Sequence, residues 1–128
     1  MTAIGRLKTR SEFLHVKGGT RFATPSLVLQ ARRRPPASRQ APHLARFGFT
    51  ATKRLGGAVV RNRARRRLKE AVRLTGADHA TEGYDYVLIA RGGAVQRPFH
   101  ELIKDLERAL ANVHEPSSAK ARRKSKTD

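Results

Sequence analysis

The chain has 128 residues, which fits one domain, and 38% of them are hydrophobic, enough for one modest core. A formal net charge of +18 predicts a polyanionic partner, with nucleic acid favoured over an anionic membrane surface. The lack of cysteine excludes disulfides, thiolate zinc sites and thiol nucleophiles. No stretch is apolar enough for a spanning helix or a signal peptide, so a cytoplasmic location without membrane association is expected.

The first predicted elements are a short helix and two or three strands. Thr9 and Glu12 have the spacing of a capping box, and Gly18-Gly19 ends the helix that they begin. Strand-like alternation follows over 27–32, with Pro25 indicating an edge or a bend at its start. It returns over 46–52 after a proline-rich loop, and the short link favours antiparallel pairing of the two strands.

The second half of the chain predicts helix, strand and helix. Residues 58–75 fit a helix that ends before a loop at Gly76, and residues 84–90 are apolar enough for a strand buried on both faces. After a turn region, Pro98 begins an amphipathic helix that reaches residue 113. The sequence therefore predicts a single α+β domain over 1–114 with a strand-helix-strand crossover, followed by a disordered basic tail over 115–128.

The predicted helix 58–75 combines an apolar side with an unusual density of cations. Its basic residues include an i, i+4 line whose like-charge pairs each destabilise an isolated helix by about 0.2–0.5 kcal/mol. Arginine predominates, and its planar fork of donors fits phosphate in a bidentate manner, so a phosphate-binding helix is favoured over a merely solvated face. These residues alone do not distinguish DNA from RNA. The expected apolar side is Val60, Ala64, Leu68, Ala71 and Leu74, and the basic line is Arg61, Arg65, Lys69 and Arg73.

Arg67 fits neither side of this helix, because it falls near the middle of the apolar side. Its side chain either packs along the protein with the charged end reaching solvent or contacts RNA. The sequence leaves both possibilities open.

The five histidines do not form a catalytic motif with the carboxylates. His100, Glu101 and Asp105 are the nearest approach to a cluster, and a solvated helix face explains them better than a metal site does. A nuclease acting through the protein's own histidines and carboxylates therefore has little support. No catalytic or metal-binding residue is assigned to the chain.

The stretch "RFGFTATKRLGGAVVRNRARRRLKEAVR", residues 46–73, closely resembles the signature of the bacterial ribonuclease P protein component. The similarity extends over about residues 5–113. The shared pattern is a strand that ends in two basic residues, then glycine, an Ala-Val pair and an Arg-Asn-Arg motif with trailing basic residues. Here it consists of Lys53-Arg54, Ala58-Val59, Arg61-Asn62-Arg63, Arg65, Arg66 and Lys69-Glu70.

This resemblance implies an αβββαβα fold with a left-handed βαβ crossover, related to domains of ribosomal proteins. It also implies the protein subunit of an endoribonuclease, in which a catalytic RNA removes the 5′ leader of precursor tRNA. The protein would bind the catalytic RNA and the leader, one protein per RNA, and broaden the substrate range. Magnesium would act in the ribonucleoprotein, with no cofactor bound by the protein alone.

The resemblance also implies two groups of site residues. The leader would lie in a cleft between the first helix and the sheet. Gln30 stands in this cleft where many relatives have an aromatic residue, so the contacts with the leader are expected to be weaker or rearranged. Charge alone leaves two alternatives, another basic RNA-binding protein of ribosomal type and a DNA-architectural protein. Together with Arg73 of the basic line, the expected RNA-binding residues are Lys53, Arg54, Arg61, Asn62, Arg63, Arg65, Arg66 and Lys69. The expected cleft residues are Phe13, Val28, Gln30, Arg46, Thr50 and Thr52.

Overall fold

A five-stranded mixed sheet with helices on both faces forms the domain in the computed structural model, which describes residues 2–35 and 43–114. The predicted tail 115–128 lies outside the described residues. In chain order the elements are β1 Ala3–Arg6, α1 Arg10–Lys17, β2 Thr20–Ala23, β3 Leu27–Arg33, β4 Leu44–Thr50, a 3-10 turn Lys53–Leu55, α2 Ala58–His79, β5 Tyr84–Ala90, α3 Gly93–Gln96 and α4 Phe99–Val113. This arrangement confirms the predicted α+β class and adds β1 and α3 to the expected αβββαβα elements.

The strand order is β1-β4-β5-β3-β2, and it corrects one predicted pairing. β3 and β4 are not paired with each other, because β5 lies between them. β5 is antiparallel to β3 and parallel to β4, and the register aligns Phe47 with Tyr86. The apolar sequence of β5 is typical of a strand in the middle of a sheet, where both of its faces are buried. Because β4 and β5 are parallel neighbours and α2 connects them, the three elements form the predicted strand-helix-strand crossover.

The main core lies between the sheet and the helices α2 and α4. Phe47 and Tyr86 stack there with ring centroids 4.8 Å apart. A smaller cluster on the opposite face joins α1 to the sheet through Val16, Leu7 and Val87. The alternation predicted for β3 and β4 thus separates a face packed against α2 and α4 from a face packed against α1. Other main-core residues are Leu27, Leu29, Leu68, Ala71, Leu88, Leu102, Leu106 and Leu110.

α2 differs from its prediction in length and in rotation. It continues to His79, so the predicted loop at Gly76 is wrong. Gly76 is buried where an added Cβ would lie 2.9 Å from Val72 Cγ1, so the helix needs a small residue there. Leu74 was expected on the apolar side but is 50% exposed, whereas Val72 and Thr75 are buried.

A buried ion network fastens α1 to the sheet. The predicted capping box is confirmed, since Glu12 Oε1 accepts from the Thr9 amide at 3.0 Å and Thr9 Oγ1 accepts from the Glu12 amide at 3.3 Å. The other oxygen of Glu12 accepts from Arg46, which also binds the buried Asp85. Hydrogen bonds from the Lys8 and Thr9 amides, and then the Arg46 charge, hold the pKa of Glu12 below its ordinary value.

Candidate nucleic-acid interface

The turn after β4 and the first three turns of α2 present an uninterrupted set of cations. Between residues 53 and 69 the sequence has eight Lys or Arg and no Asp or Glu. The buried side of this segment is formed by Ala64 and Leu68, which turns most of the charged side chains outward. We call this set the cation surface; it consists of Lys53, Arg54, Arg61, Arg63, Arg65, Arg66 and Lys69.

Two members of the cation surface are oriented by short contacts within the same segment. Arg61 Nη1 donates to the Gly56 carbonyl at 2.9 Å, across the turn that begins the helix. Arg65 Nη2 donates to Asn62 Oδ1 at 2.5 Å. Asn62 therefore positions an arginine, a role that charge alone does not suggest.

Four further members of the cation surface have no internal partner among residues 2–35 and 43–114. Lys53, Arg54, Arg63 and Arg66 are exposed and make no hydrogen bond or ion pair there. Arg73, further along α2, differs because Glu70 accepts from its guanidinium at 2.6 and 2.9 Å. The unpaired charge is therefore concentrated at the N-terminal half of α2.

Arg67 is the exception within this basic segment, and the structure assigns its role. Its Nη1 donates to the Ala94 carbonyl at 2.8 Å, and its Nη2 donates to the Arg97 carbonyl at 2.5 Å. Burial, and then the nearby Arg63 charge, lower the pKa of Arg67. Arg67 thus joins α2 to α3 and to the residue that follows it, so the side chain packs against the protein but its charged end binds carbonyls instead of reaching solvent.

Replacing Arg67 by alanine is expected to lower the free energy of unfolding by about 1.5–3 kcal/mol, because hydrogen bonds from a charged donor to two carbonyls are lost. The salt dependence of RNA binding should remain that of the wild type. Arg66→Ala is the matched control, with nearly unchanged stability and weaker RNA binding. Urea unfolding measures the stability of each variant, and RNA titration measures its affinity for RNA. If Arg66→Ala lowered the stability and Arg67→Ala weakened RNA binding instead, the assignment would be contradicted.

The predicted cleft residues lie on the α1 face of the sheet. The register aligns Val28, Ile89 and Thr50 across three adjacent strands, and Gln30, Val87 and Gly48 form the next row. The Phe13 ring covers Gly48 so closely that an added Cβ would lie 2.5 Å from its Cζ.

The open end of this face leads directly to the cation surface. Gln30 is 9% exposed, and its amide makes no hydrogen bond with a residue in the described part of the chain. Thr52 follows β4, is exposed, and immediately precedes Lys53. A strand of RNA on the α1 face could therefore continue onto the basic helix.

Arg46 lies on the same face, but its guanidinium is used within the protein. Its Nε and Nη2 donate to the two oxygens of Asp85 at 2.8 and 2.7 Å, and its Nη1 donates to Glu12 at 2.9 Å. Arg34 Nη1 also donates to Asp85, at 2.5 Å. The hydrogen bonds with Asp85 raise the pKa of Arg46. Sequence reasoning missed Asp85, although an acid inside an apolar strand was the available signal.

The solvated helix face expected for His100, Glu101 and Asp105 is wrong for Asp105, which is buried. His100 contacts Glu101 at 3.3 Å, whereas Asp105 is buried and accepts from Ser26 Oγ at 2.6 Å. Across the described ranges, no group of three or more His, Asp or Glu side chains is arranged to hold a metal ion. No helix within those ranges has the length and hydropathy needed to cross a membrane.

Comparison with known proteins identifies relatives over most of the chain. The family model described as Ribonuclease P matches residues 1–114. The Ribonuclease P protein component of Ruegeria pomeroyi is 43% identical over 116 residues, covering 90% of this chain and 90% of that protein. That of Gluconacetobacter diazotrophicus is 49% identical over 106 residues, covering 82% and 87%. A solved structure of the Staphylococcus aureus RNase P protein superposes with a TM-score of 0.66 at 27% identity, covering 84% of this chain and 95% of that one.

Proposed function

This chain belongs to the ribonuclease P protein family, and we propose that it binds the catalytic RNA through the cation surface and the 5′ leader of precursor tRNA on the α1 face. The observation that carries the proposal is the run of eight cations without an acid over 53–69, four of them without an internal partner in the described residues. Such a surface repels itself until a polyanion neutralises it.

The chemistry of the cation surface supports binding rather than proton transfer. A guanidinium donates five hydrogen bonds, accepts none and stays protonated, so it cannot serve as a general base. Its planar fork fits two phosphate oxygens at once. We therefore assign cleavage to the RNA subunit with magnesium bound in the ribonucleoprotein, while the protein positions the RNA. One protein per RNA suffices for this arrangement.

The leader assignment is supported by the row of residues on the α1 face. Single-stranded RNA is commonly bound by stacking its bases on aromatic rings. Phe13 offers a ring at one end of the face, and Thr50 and Thr52 offer hydroxyl donors beside the entry to the cation surface. Gln30 lies on the same face, on β3, and its side-chain amide makes no hydrogen bond among the described residues, so it would contact a base by hydrogen bonding rather than by stacking.

With the protein present, precursor tRNA is expected to bind the complex more tightly than mature tRNA, and Phe13→Leu should reduce this preference roughly tenfold through lost stacking. Leu14→Ala is the matched control, because Leu14 is the next residue of α1 and is 52% exposed. Equilibrium binding of both tRNAs, with and without the protein, measures the preference. Equal affinity of the complex for the two tRNAs would contradict leader binding. The RNA-binding role of the cation surface is tested separately, by variants of that surface.

A further inference from the structure

An apolar groove lies on the α2 side of the sheet, between the edge strand β1 and the helix. It encloses about 320 Å³, which is near the lower end of the range for small-ligand pockets. This volume suits a single planar group rather than a helix. The residues that define it are Ile4, Arg6, Phe49, Lys69, Val72 and Arg73.

The groove exists because α2 packs over the middle of the sheet and approaches the edge strand most closely beside Thr2, whose amide donates to the Ala77 carbonyl at 2.8 Å. Ile4 is in register with the buried Ala45 on the same face, yet Ile4 remains 39% exposed. Phe49 is only partly buried, and its ring forms part of the groove. An aliphatic and an aromatic side chain thus form an uncovered apolar floor.

Cations from two different elements surround this floor. Arg6 is in register with Phe47 and so lies on the α2 face, and Lys69 Nζ is 6.0 Å from the centroid of the Phe49 ring. Neither Arg6 nor Lys69 has a carboxylate partner in the part of the chain that the structure describes, whereas Arg73 is paired with Glu70. An apolar floor with unpaired cations at its rim is complementary to an aromatic base that carries a phosphate.

We propose that this groove binds one unstacked nucleotide of the catalytic RNA, with the base against Ile4 and Phe49 and a phosphate at Arg6 and Lys69. The proposal rests on the RNA-binding function proposed above. Lys69 belongs to the cation surface, so an RNA bound there reaches the groove without interruption. The groove is on the opposite face of the sheet from Phe13 and Val28, which favours the catalytic RNA over the leader as the source of the nucleotide.

The first test uses the isolated full chain and small probes. Adenosine 5′-monophosphate should shift the methyl NMR signals of Ile4 and Val72, with adenosine and inorganic phosphate each giving weaker or no shifts of these methyls. Arg6→Ala should weaken the binding of adenosine 5′-monophosphate about fivefold while the protein stays folded. Methyl signals that do not move at saturating nucleotide, or that move equally with phosphate alone, would overturn the proposal.

The second test uses the assembled complex and separates this proposal from the function on which it rests. Ultraviolet crosslinking should attach a nucleotide of the catalytic RNA to the peptide that contains Phe49, and Ile4→Glu should weaken RNA binding about tenfold without lowering the melting temperature. If the wild-type protein bound the RNA without forming the crosslink, and Ile4→Glu bound the RNA as tightly as the wild type, the groove proposal alone would be overturned. A crosslink to the leader would overturn its assignment to the catalytic RNA. Failure of the wild-type protein to bind the RNA would overturn both proposals.

Discussion

The affinity of the protein for the catalytic RNA is expected to fall roughly a thousandfold between 50 and 200 mM monovalent salt, because about six phosphates are neutralised and their counterions released. The cation surface has seven side chains that can supply these contacts. Titration of labelled RNA at constant magnesium and several salt concentrations gives the slope of log affinity against log salt, which should be near −5. A nearly flat response would remove the phosphate-binding role of the surface.

The same measurement on a double variant locates the contacts. Arg63→Ala with Arg66→Ala removes two exposed arginines that have no internal partner among the described residues, so the slope should become shallower by about two and the affinity should fall roughly thirtyfold near physiological salt. Lys104→Ala with Arg108→Ala removes the same charge from the exposed side of α4 and serves as the control. Equal losses in the two variants would mean that net charge, rather than this surface, drives binding.

Replacing Asp85 by alanine is expected to lower the free energy of unfolding by about 3–5 kcal/mol. The side chain of Asp85 is 2% exposed and accepts from both Arg34 and Arg46, so its removal leaves two buried guanidinium groups without this carboxylate. The loss should also loosen α1, because Arg46 links Asp85 to the capping residue Glu12.

Urea unfolding checks this result against Asp78→Ala, which removes the same charge from an exposed position at the end of α2. That control should change the stability by no more than about 0.5 kcal/mol. If Asp85→Ala cost as little as its control, the ion network would not be what holds α1 on the sheet.

Local sequence patterns were sufficient to predict the elements whose capping residues or apolar periodicity fall within a short stretch of the chain. The Thr9–Glu12 capping box, the strand 84–90 and the helix after Gly57 all appear in the structure. Each depends on hydrogen bonding or apolar periodicity over a short span. Elements of four residues, such as β1 and α3, are too short to give a clear period.

Features decided by distant contacts could not be predicted in this way. β3 and β4 are close in sequence, but β5 lies between them and pairs with both of their edges, a contact that neither strand's own sequence indicates. Gly76 reads as a helix breaker, yet it stays within α2 where a larger side chain would crowd Val72.

At the candidate site, the sequence likewise predicted which residue types are present but not which groups they contact. The density of arginine over 61–67 predicted a basic surface, and the structure turns most of these side chains outward. Arg67 and Arg46 were also predicted to be available to solvent or RNA, but they are bound by groups 27 to 39 positions away in the chain. Such partners become visible only when the fold brings the elements together.

Cleavage of precursor tRNA by the purified catalytic RNA at low magnesium, with and without this protein, is the most direct measurement of its function. The protein should restore cleavage at the junction between the leader and the mature tRNA, and the Arg63→Ala, Arg66→Ala variant should need a higher protein concentration for the same rate. No gain in cleavage from folded wild-type protein that binds the RNA would contradict the proposed role.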